Sequence, residues 1–138
     1  MNLTNTSRYA IRILSYMALQ GEQLFSAKQL VERLKISDKY LRGLMTNLAR
    51  KGLVKSVQGR EGGYEISKPH TELYLIDIIS AVEDISKYTG CVLGFGECSN
   101  ANPCALHDQW NEIKTDTVRF LQTTTLADIV KSKHVMKF

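Results

Sequence analysis

The sequence predicts a mostly α-helical protein with one small β-hairpin, and two observations carry this prediction. Apolar residues recur at helical spacing in three short segments before residue 50, and again in a long segment near the C-terminus. Between them the pattern changes to period two around a glycine-rich turn. With 138 residues, of which 43% are hydrophobic, the chain is long enough to bury one moderate core.

Serine and threonine residues mark where the first helices begin. We predict N-caps at Thr6 or Ser7, at Ser26 and at Ser37, since a hydroxyl there satisfies an orphan backbone N–H at about 1 kcal/mol over alanine. Three helices are therefore expected in the first 50 residues, over 9–20, 27–34 and 38–49. The buried face of the third is predicted to comprise Leu41, Leu44, Met45 and Leu48.

A β-hairpin over 53–67 follows these helices. Gly52 suits the left-handed position that ends a helix. Residues 53–57 alternate in polarity, and Tyr64 begins the returning strand. The turn contains Gly59, Gly62 and Gly63, which we expect to adopt positive φ angles.

The second half of the chain predicts helices joined by a loop rich in small residues. Asn102 and Pro103 fit the N-cap and first position of a long helix. We expect one domain over 1–72 and a helical region over 73–138. The elements predicted in the second region are a helix over 75–84, a cysteine loop over 90–104, a long helix over 103–123 and a short helix over 126–133.

Charge is unevenly distributed between the two halves. Residues 1–72 carry 12 Lys and Arg against 6 Asp and Glu, whereas residues 73–138 carry 6 against 8. A positive first half is typical of a surface that faces a polyanion. The longest apolar runs are far too short to cross a bilayer and no targeting segment is visible, so the expected compartment is the cytoplasm.

Three short helices followed by a glycine-tipped hairpin predict a winged helix-turn-helix, in which the helix over 38–49 enters the major groove of double-stranded promoter DNA. Arg42 is the strongest candidate to read a base, because arginine pairs with two guanine acceptors. Arg60 lies between wing glycines that let it approach a phosphate or a minor groove. The candidate DNA-binding residues are Ser37, Lys39, Arg42, Thr46, Gln58 and Arg60, and Gly43, Arg50 and Lys55 lie on the same surfaces. The alternative is an ordinary solvated helical face.

The cysteines predict a metal or cluster site. Cys91, Cys98 and Cys104 lie in a loop rich in glycine and asparagine, which offers little core in which to bury thiols. Structural zinc is not favoured because no C-x2-C pair exists, whereas iron-sulfur clusters accept wider spacings. With Pro103 as the first helical residue, Cys104 would lie in the first helical turn, where the dipole favours a thiolate. His107 is the local candidate for a fourth ligand; the alternative is a surface histidine.

The long C-terminal helix carries an apolar seam with alternating spacings of four and three. Such a seam suits packing against another helix, and two-fold dimers read two half-sites about one helical turn apart. We therefore predict a homodimer through residues 103–123, with packing on the chain's own domain as the alternative. The seam comprises Leu106, Trp110, Ile113, Thr117 and Phe120.

The chain resembles the Rrf2 family of bacterial winged-helix transcriptional regulators over almost its whole length. The most specific features are Gly62-Gly63-Tyr64 in the wing, the Ile-Ile-x-Ala-Val-Glu segment over 78–83, and the cysteine trio before a tryptophan-containing helix. The family includes regulators of iron-sulfur biogenesis and sensors of nitric oxide. The resemblance therefore implies a dimer whose cluster state alters promoter binding.

By the same resemblance, the three cysteines match the family's cluster ligands and His107 matches the fourth ligand of the biogenesis regulators. Some nitric-oxide sensors use an N-terminal acidic residue of the partner subunit, where this chain has Arg8. The first cysteine gap is one residue longer than in the biogenesis type, which leaves open a 2Fe-2S or a 4Fe-4S cluster. Two other functions stay open: a cluster-free regulator switched by thiol oxidation, and a small redox protein, against which no nucleotide loop or catalytic triad is visible. An enzyme is not expected.

Overall fold

The computed structural model describes residues 1–96 and 98–134, so the last four residues of the predicted C-terminal region lie outside it. It confirms a mostly helical fold with a two-stranded antiparallel hairpin. Within the described ranges, no helix combines the length and apolar character needed to cross a membrane. The elements in chain order are α1 (Asn5–Gln20), α2 (Ala27–Leu34), α3 (Asp38–Arg50), β1 (Val54–Val57), β2 (Gly63–Ile66), a 3-10 turn (His70–Glu72), α4 (Leu75–Val82), α5 (Ser86–Thr89), α6 (His107–Thr123) and α7 (Leu126–Lys131).

Side-chain caps set the starts of the first three helices. Ser26 caps α2 in a capping box with Gln29, and the Ser37 hydroxyl accepts from the backbone N–H of Tyr40 at 3.1 Å, as predicted for both helices. The prediction for α1 was wrong. Thr4 is its N-cap and accepts from the backbone N–H of Ser7 at 3.2 Å, because Ser7 already lies inside the helix, fully buried.

The main core joins the N-terminal helices to elements from the second half of the chain. The predicted inner face of α3 is confirmed, with Leu41, Leu44, Met45 and Leu48 all buried. They pack with Ile13 of α1 and with Ile78 of α4 in one cluster of side chains. Apolar packing therefore crosses residue 72, where the sequence predicts a domain boundary. That boundary stays a prediction.

The hairpin lies between α3 and the second half of the chain. Val54 pairs with Ile66 and Val57 with Gly63, while Tyr64 also forms a bridge with Phe25 before α2, which ties the wing to the helices. Gly59 adopts a φ of +109° as predicted. The prediction of a positive φ at Gly62 was wrong. Gly62 is needed for another reason, since a Cβ there would lie 2.0 Å from the Val57 carbonyl oxygen.

Three boundaries in the second half differ from the prediction, one of them the end of α7, which lies at Lys131 instead of residue 133. α4 ends at Val82 instead of residue 84, and the unpredicted helix α5 follows it. The long helix α6 begins at His107, not at residue 103, because the His107 N–H bonds the Cys104 carbonyl in a turn before the helix starts. Asn-Pro dipeptides also initiate turns, which explains why this signal was misleading.

Candidate nucleic-acid interface and cysteine site

The outer face of α3 presents polar and charged side chains to solvent, opposite its buried leucines. Its N-cap Ser37 is exposed, as are Lys39, Arg42 and Thr46 on the helix itself. The Thr46 hydroxyl donates to the Arg42 carbonyl at 2.8 Å, so its oxygen lone pairs remain for an outside donor. The predicted reading residues therefore share one accessible surface.

Arg42 is held by an acidic neighbour one helical turn earlier. Its Nε donates to Asp38 Oδ2 at 2.7 Å, and 59% of the Arg42 side chain remains exposed to solvent. The hydrogen bond and charge of Asp38, with a smaller contribution from Tyr64, raise the pKa of Arg42 above its ordinary value. Sequence reasoning missed Asp38, although its i, i+4 spacing to Arg42 was visible.

A groove of about 700 Å³ separates α3 from the wing. Three cationic side chains line it: Lys28 from the first turn of α2, Arg42 from α3 and Arg60 from the wing tip. Gln58 and Thr46 line the same groove, whereas the predicted residues Ser37 and Lys39 line a separate groove beside Tyr40. Lys28 was not predicted. A concave surface lined by cations from three elements suits a polyanionic backbone.

The four predicted ligands form two close pairs. Cys91 Sγ lies 3.8 Å from Cys104 Sγ, and Cys98 Sγ lies 3.4 Å from His107 Nδ1. All three cysteines are half-buried and free. His107 is only 5% exposed, so the alternative of a surface histidine is wrong. The cysteine loop and the first residue of α6 thus place each predicted ligand beside another one.

Hydrogen bonds that involve backbone groups shape this loop in two places. Trp110 of α6 donates its Nε1–H to the Gly90 carbonyl at 2.8 Å, which fixes the loop's first residue against the helix. Backbone N–H groups of Phe95 and then Leu93 donate to the Cys91 sulfur and lower the pKa of that thiol. Cys104 lies before α6, so the predicted action of the helix dipole on a Cys104 in the first turn does not apply.

The pair distances permit a test of whether an iron-sulfur cluster fits. On a tetrahedral metal ion, two thiolate sulfurs that each lie ~2.3 Å from the metal are about 3.8 Å apart. A thiolate sulfur and an imidazole nitrogen that lies ~2.0–2.1 Å from the same metal are about 3.5 Å apart. Both pairs match these separations. No three Cys, His, Asp or Glu donors converge on one metal position within residues 1–96 and 98–134. The spacing within each pair therefore fits two ligands of one metal ion, while the described residues form no complete single-metal site.

Contacts also connect the segment before the cysteine loop with the N-terminus. Tyr88 of α5 donates to Glu83 Oε1 at 2.5 Å and approaches the Asn2 carbonyl at 3.5 Å. Burial acts to raise the pKa of Glu83, but the neighbouring hydroxyls of Thr4, Tyr88 and Ser7 outweigh it and hold the pKa below its ordinary value. Burial and Glu83 together raise the pKa of Tyr88 to about 12.

The seam of α6 is largely open to solvent in the single chain. Leu106, just before the helix, is 44% exposed, Ile113 is 57% exposed and Phe120 is 48% exposed. Trp110 and Thr117 between them are half-buried. These three exposed residues are spaced by seven, so they lie on one stripe of α6 that the chain's own core does not cover.

Comparison with known proteins places this chain in one family. Residues 3–132 match the model of the Rrf2 family, described as an iron-dependent transcriptional regulator. An HTH-type transcriptional regulator of Aquifex aeolicus is 33% identical, and the match covers 98% of this chain and 96% of that protein. The HTH-type transcriptional regulator IscR of Escherichia coli is also 33% identical, over 99% of this chain and 84% of IscR.

A solved structure agrees with these relatives. CymR, the global cysteine regulator of B. subtilis, has a TM-score of 0.78 at 27% identity, and the match covers 94% of this chain and 96% of CymR. The named relatives are transcriptional regulators and not enzymes, as expected. The chain therefore belongs to the Rrf2 family of transcriptional regulators, which bind DNA.

Proposed function

We propose that this chain forms a homodimer that binds promoter DNA with an affinity set by an iron-sulfur cluster on Cys91, Cys98, Cys104 and His107. The observation that carries the proposal is the arrangement of these four donors in two pairs, each spaced for one tetrahedral metal ion. The pairing favours a cluster with two irons. The family description as iron-dependent supports the same reading.

On the DNA side, α3 enters the major groove and the wing follows the backbone. Arg42 reads a guanine with its terminal guanidinium nitrogens, and Lys39 and Thr46 contact neighbouring base edges. Arg60 enters the minor groove or contacts a phosphate from the wing tip, next to Gln58. Because the groove cations neutralise phosphates, binding weakens steeply as salt rises.

We expect Arg42→Ala to weaken binding to the cognate promoter by about 1–3 kcal/mol, roughly 5- to 150-fold, because one bidentate base contact is lost. Fluorescence anisotropy with cognate and scrambled duplexes measures the change, and the loss should be larger for the cognate duplex. Arg119→Ala is the control, since Arg119 is an exposed, ion-paired residue of α6 remote from the groove. Equal affinities of Arg42→Ala and wild type would contradict the assignment.

On the sensing side, an iron-sulfur cluster would be held by Cys91, Cys98, Cys104 and His107 and would supply a redox-active group at this loop. A series of contacts connects the cysteine loop to α3, so a change in the conformation of the loop can reach the DNA-binding helix. Trp110 holds Gly90, Tyr88 links α5 to Glu83 and Asn2, and the N-terminal helix contacts α3 where Tyr40 donates to Thr6 at 3.2 Å. A tenfold change in promoter affinity needs a difference of only ~1.4 kcal/mol between the two states.

The experiment that tests the cluster is anaerobic purification followed by visible absorbance, iron and sulfide analysis. Wild-type protein is expected to be coloured, with iron and sulfide in equal amounts, and Cys98→Ala is expected to lose both colour and iron. Ser99→Ala, which changes the neighbouring loop residue without removing a donor, should keep them. A colourless wild type that cannot be reconstituted with iron and sulfide would overturn the proposal.

A second candidate function is a thiol-switched regulator without a cluster. The observation that favours it is the separation of 3.8 Å between the Cys91 and Cys104 sulfurs, which a small loop movement would close to a bond. Hydrogen peroxide would take two electrons and two protons from the two thiols, which form the disulfide while the peroxide leaves as two waters. An iron-free protein with a peroxide-dependent Cys91–Cys104 disulfide would establish this function.

A further inference from the structure

We propose that Asn100 is a positioning residue that selects the tautomer of His107 and so presents the bare Nδ1 of its imidazole to Cys98. The ligand role of Nδ1 rests on the proposed cluster function. The tautomer itself does not, because it is a property of the protein without metal. Asn100 therefore completes the cysteine site without being a ligand.

The geometry assigns one partner to each ring nitrogen. His107 Nε2 lies 2.7 Å from Asn100 Oδ1, and His107 Nδ1 lies 3.4 Å from Cys98 Sγ. Only 5% of His107 is exposed, so few other partners can reach its ring. A neutral imidazole carries one N–H, and an amide oxygen only accepts hydrogen bonds. Nε2 must then carry the proton, and Nδ1 has a free lone pair facing the sulfur.

This arrangement orients the ring as well as choosing its proton. His107 is the first residue of α6, so its backbone is held by the helix, while Asn100 and Cys98 belong to the preceding loop. A hydrogen bond on one nitrogen and a sulfur beside the other fix the ring plane between them. Carbonyl and carboxylate groups that bond the far nitrogen of a ligating histidine set its tautomer and raise its basicity, and their loss costs 10- to 100-fold in metal affinity.

Asn100 also couples the ligands along the chain. It follows Cys98 by two residues, so the same short segment supplies the sulfur and holds the imidazole that pairs with it. The Cys98–His107 pair is preorganised in this way, whereas the Cys91–Cys104 pair has sulfur on both sides and needs no tautomer choice. A change at Asn100 should therefore weaken one metal position and leave the other pair's spacing unchanged.

The first measurement uses reduced, metal-free, full-length protein labelled with 15N-histidine. Long-range proton-nitrogen spectra report which ring nitrogen is protonated, and His107→Gln assigns the signal among the three histidines, His70, His107 and His134. We expect the Nε2–H form in wild type and in Asn100→Asp, whose carboxylate also accepts. Asn100→Ala should show a mixture. Asn102→Ala, an exposed residue of the same loop, should match wild type.

Two results would overturn the tautomer assignment. One is an Nδ1–H form in wild type, which would mean that Asn100 presents its NH2 group to the ring. The other is a wild-type tautomer that persists unchanged in Asn100→Ala. Because Asn100→Asp keeps the acceptor, it separates the hydrogen bond from any general effect of changing this loop residue.

The second measurement uses reconstituted protein. Hyperfine coupling between the reduced cluster and 15N-histidine is expected in wild type, and Asn100→Ala should lose iron to a chelator about 10- to 100-fold faster than Asn102→Ala. A cluster without 15N coupling would overturn the ligand role of His107 Nδ1. A protein that holds no cluster but shows the expected tautomers would sink the proposed function and leave the role of Asn100 standing.

Discussion

Ile113→Asp is expected to convert the proposed dimer into a monomer and to weaken promoter binding by about 10²- to 10⁴-fold. Ile113 is the most exposed of the three large apolar residues spaced by seven along α6, and a carboxylate at the centre of that stripe would be buried without a partner in a helix-helix interface. A monomer loses the second half-site, and with it the gain of two linked binding modules.

Sedimentation and multi-angle light scattering report the oligomeric state, and anisotropy on a duplex with two half-sites reports the affinity. Thr115→Asp is the matched control, because Thr115 is exposed on the same helix but does not belong to the stripe. It should remain dimeric and bind like wild type. If Ile113→Asp stays dimeric, the stripe is not the interface and the dimer proposal through α6 fails.

Gly62→Ala is expected to lower the free energy of unfolding by about 1–3 kcal/mol and to disable the wing. A Cβ at residue 62 would lie 2.0 Å from the Val57 carbonyl oxygen and 2.9 Å from its carbon, both of them backbone atoms that no side-chain rotation can move aside. Relief requires the turn to open, which also breaks the hydrogen bond from the Gly62 N–H to the Gly59 carbonyl. Arg60 then loses its position at the groove.

Thermal unfolding followed by circular dichroism measures the change, with a fall in Tm of about 4 °C expected per kcal/mol. Gly43→Ala is the control, because a Cβ at this exposed position in the middle of α3 meets nothing within 4 Å. Alanine is the better helix former by ~1 kcal/mol, so this variant should be more stable than wild type. Equal stability of Gly62→Ala and wild type would show that the turn adapts at no cost.

Much of the fold could be predicted because its signals are local. The serine caps of α2 and α3, the buried stripe of α3 and the hairpin each depend on residues within one or two turns of each other. The starts of α1 and α6 were missed because several polar residues could cap each helix. Burial of Ser7 and the turn from Cys104 to His107 decide between them, and neither is visible in the local pattern.

The candidate site divides in the same way. The chemical type of its residues is a property of the sequence: three thiols and one imidazole near the start of a helix, and cations on the outer face of α3 and on the wing. Sequence reasoning did not find Lys28 or Asn100, because Lys28 reaches the groove through the packing of α2 beside the wing, and Asn100 reaches His107 across a folded loop.

By itself, the sequence determined the order of the elements, the capping residues of α2 and α3, the glycine turn and the identity of the candidate ligands, because these depend on the chemistry of neighbouring residues. Only the tertiary structure decided that Cys91 lies beside Cys104 and Cys98 beside His107, that the imidazole is buried, and that cations from three elements share one groove. Such pairings are set by how helices and loops pack over long chain separations, and no local periodicity encodes the distance between them.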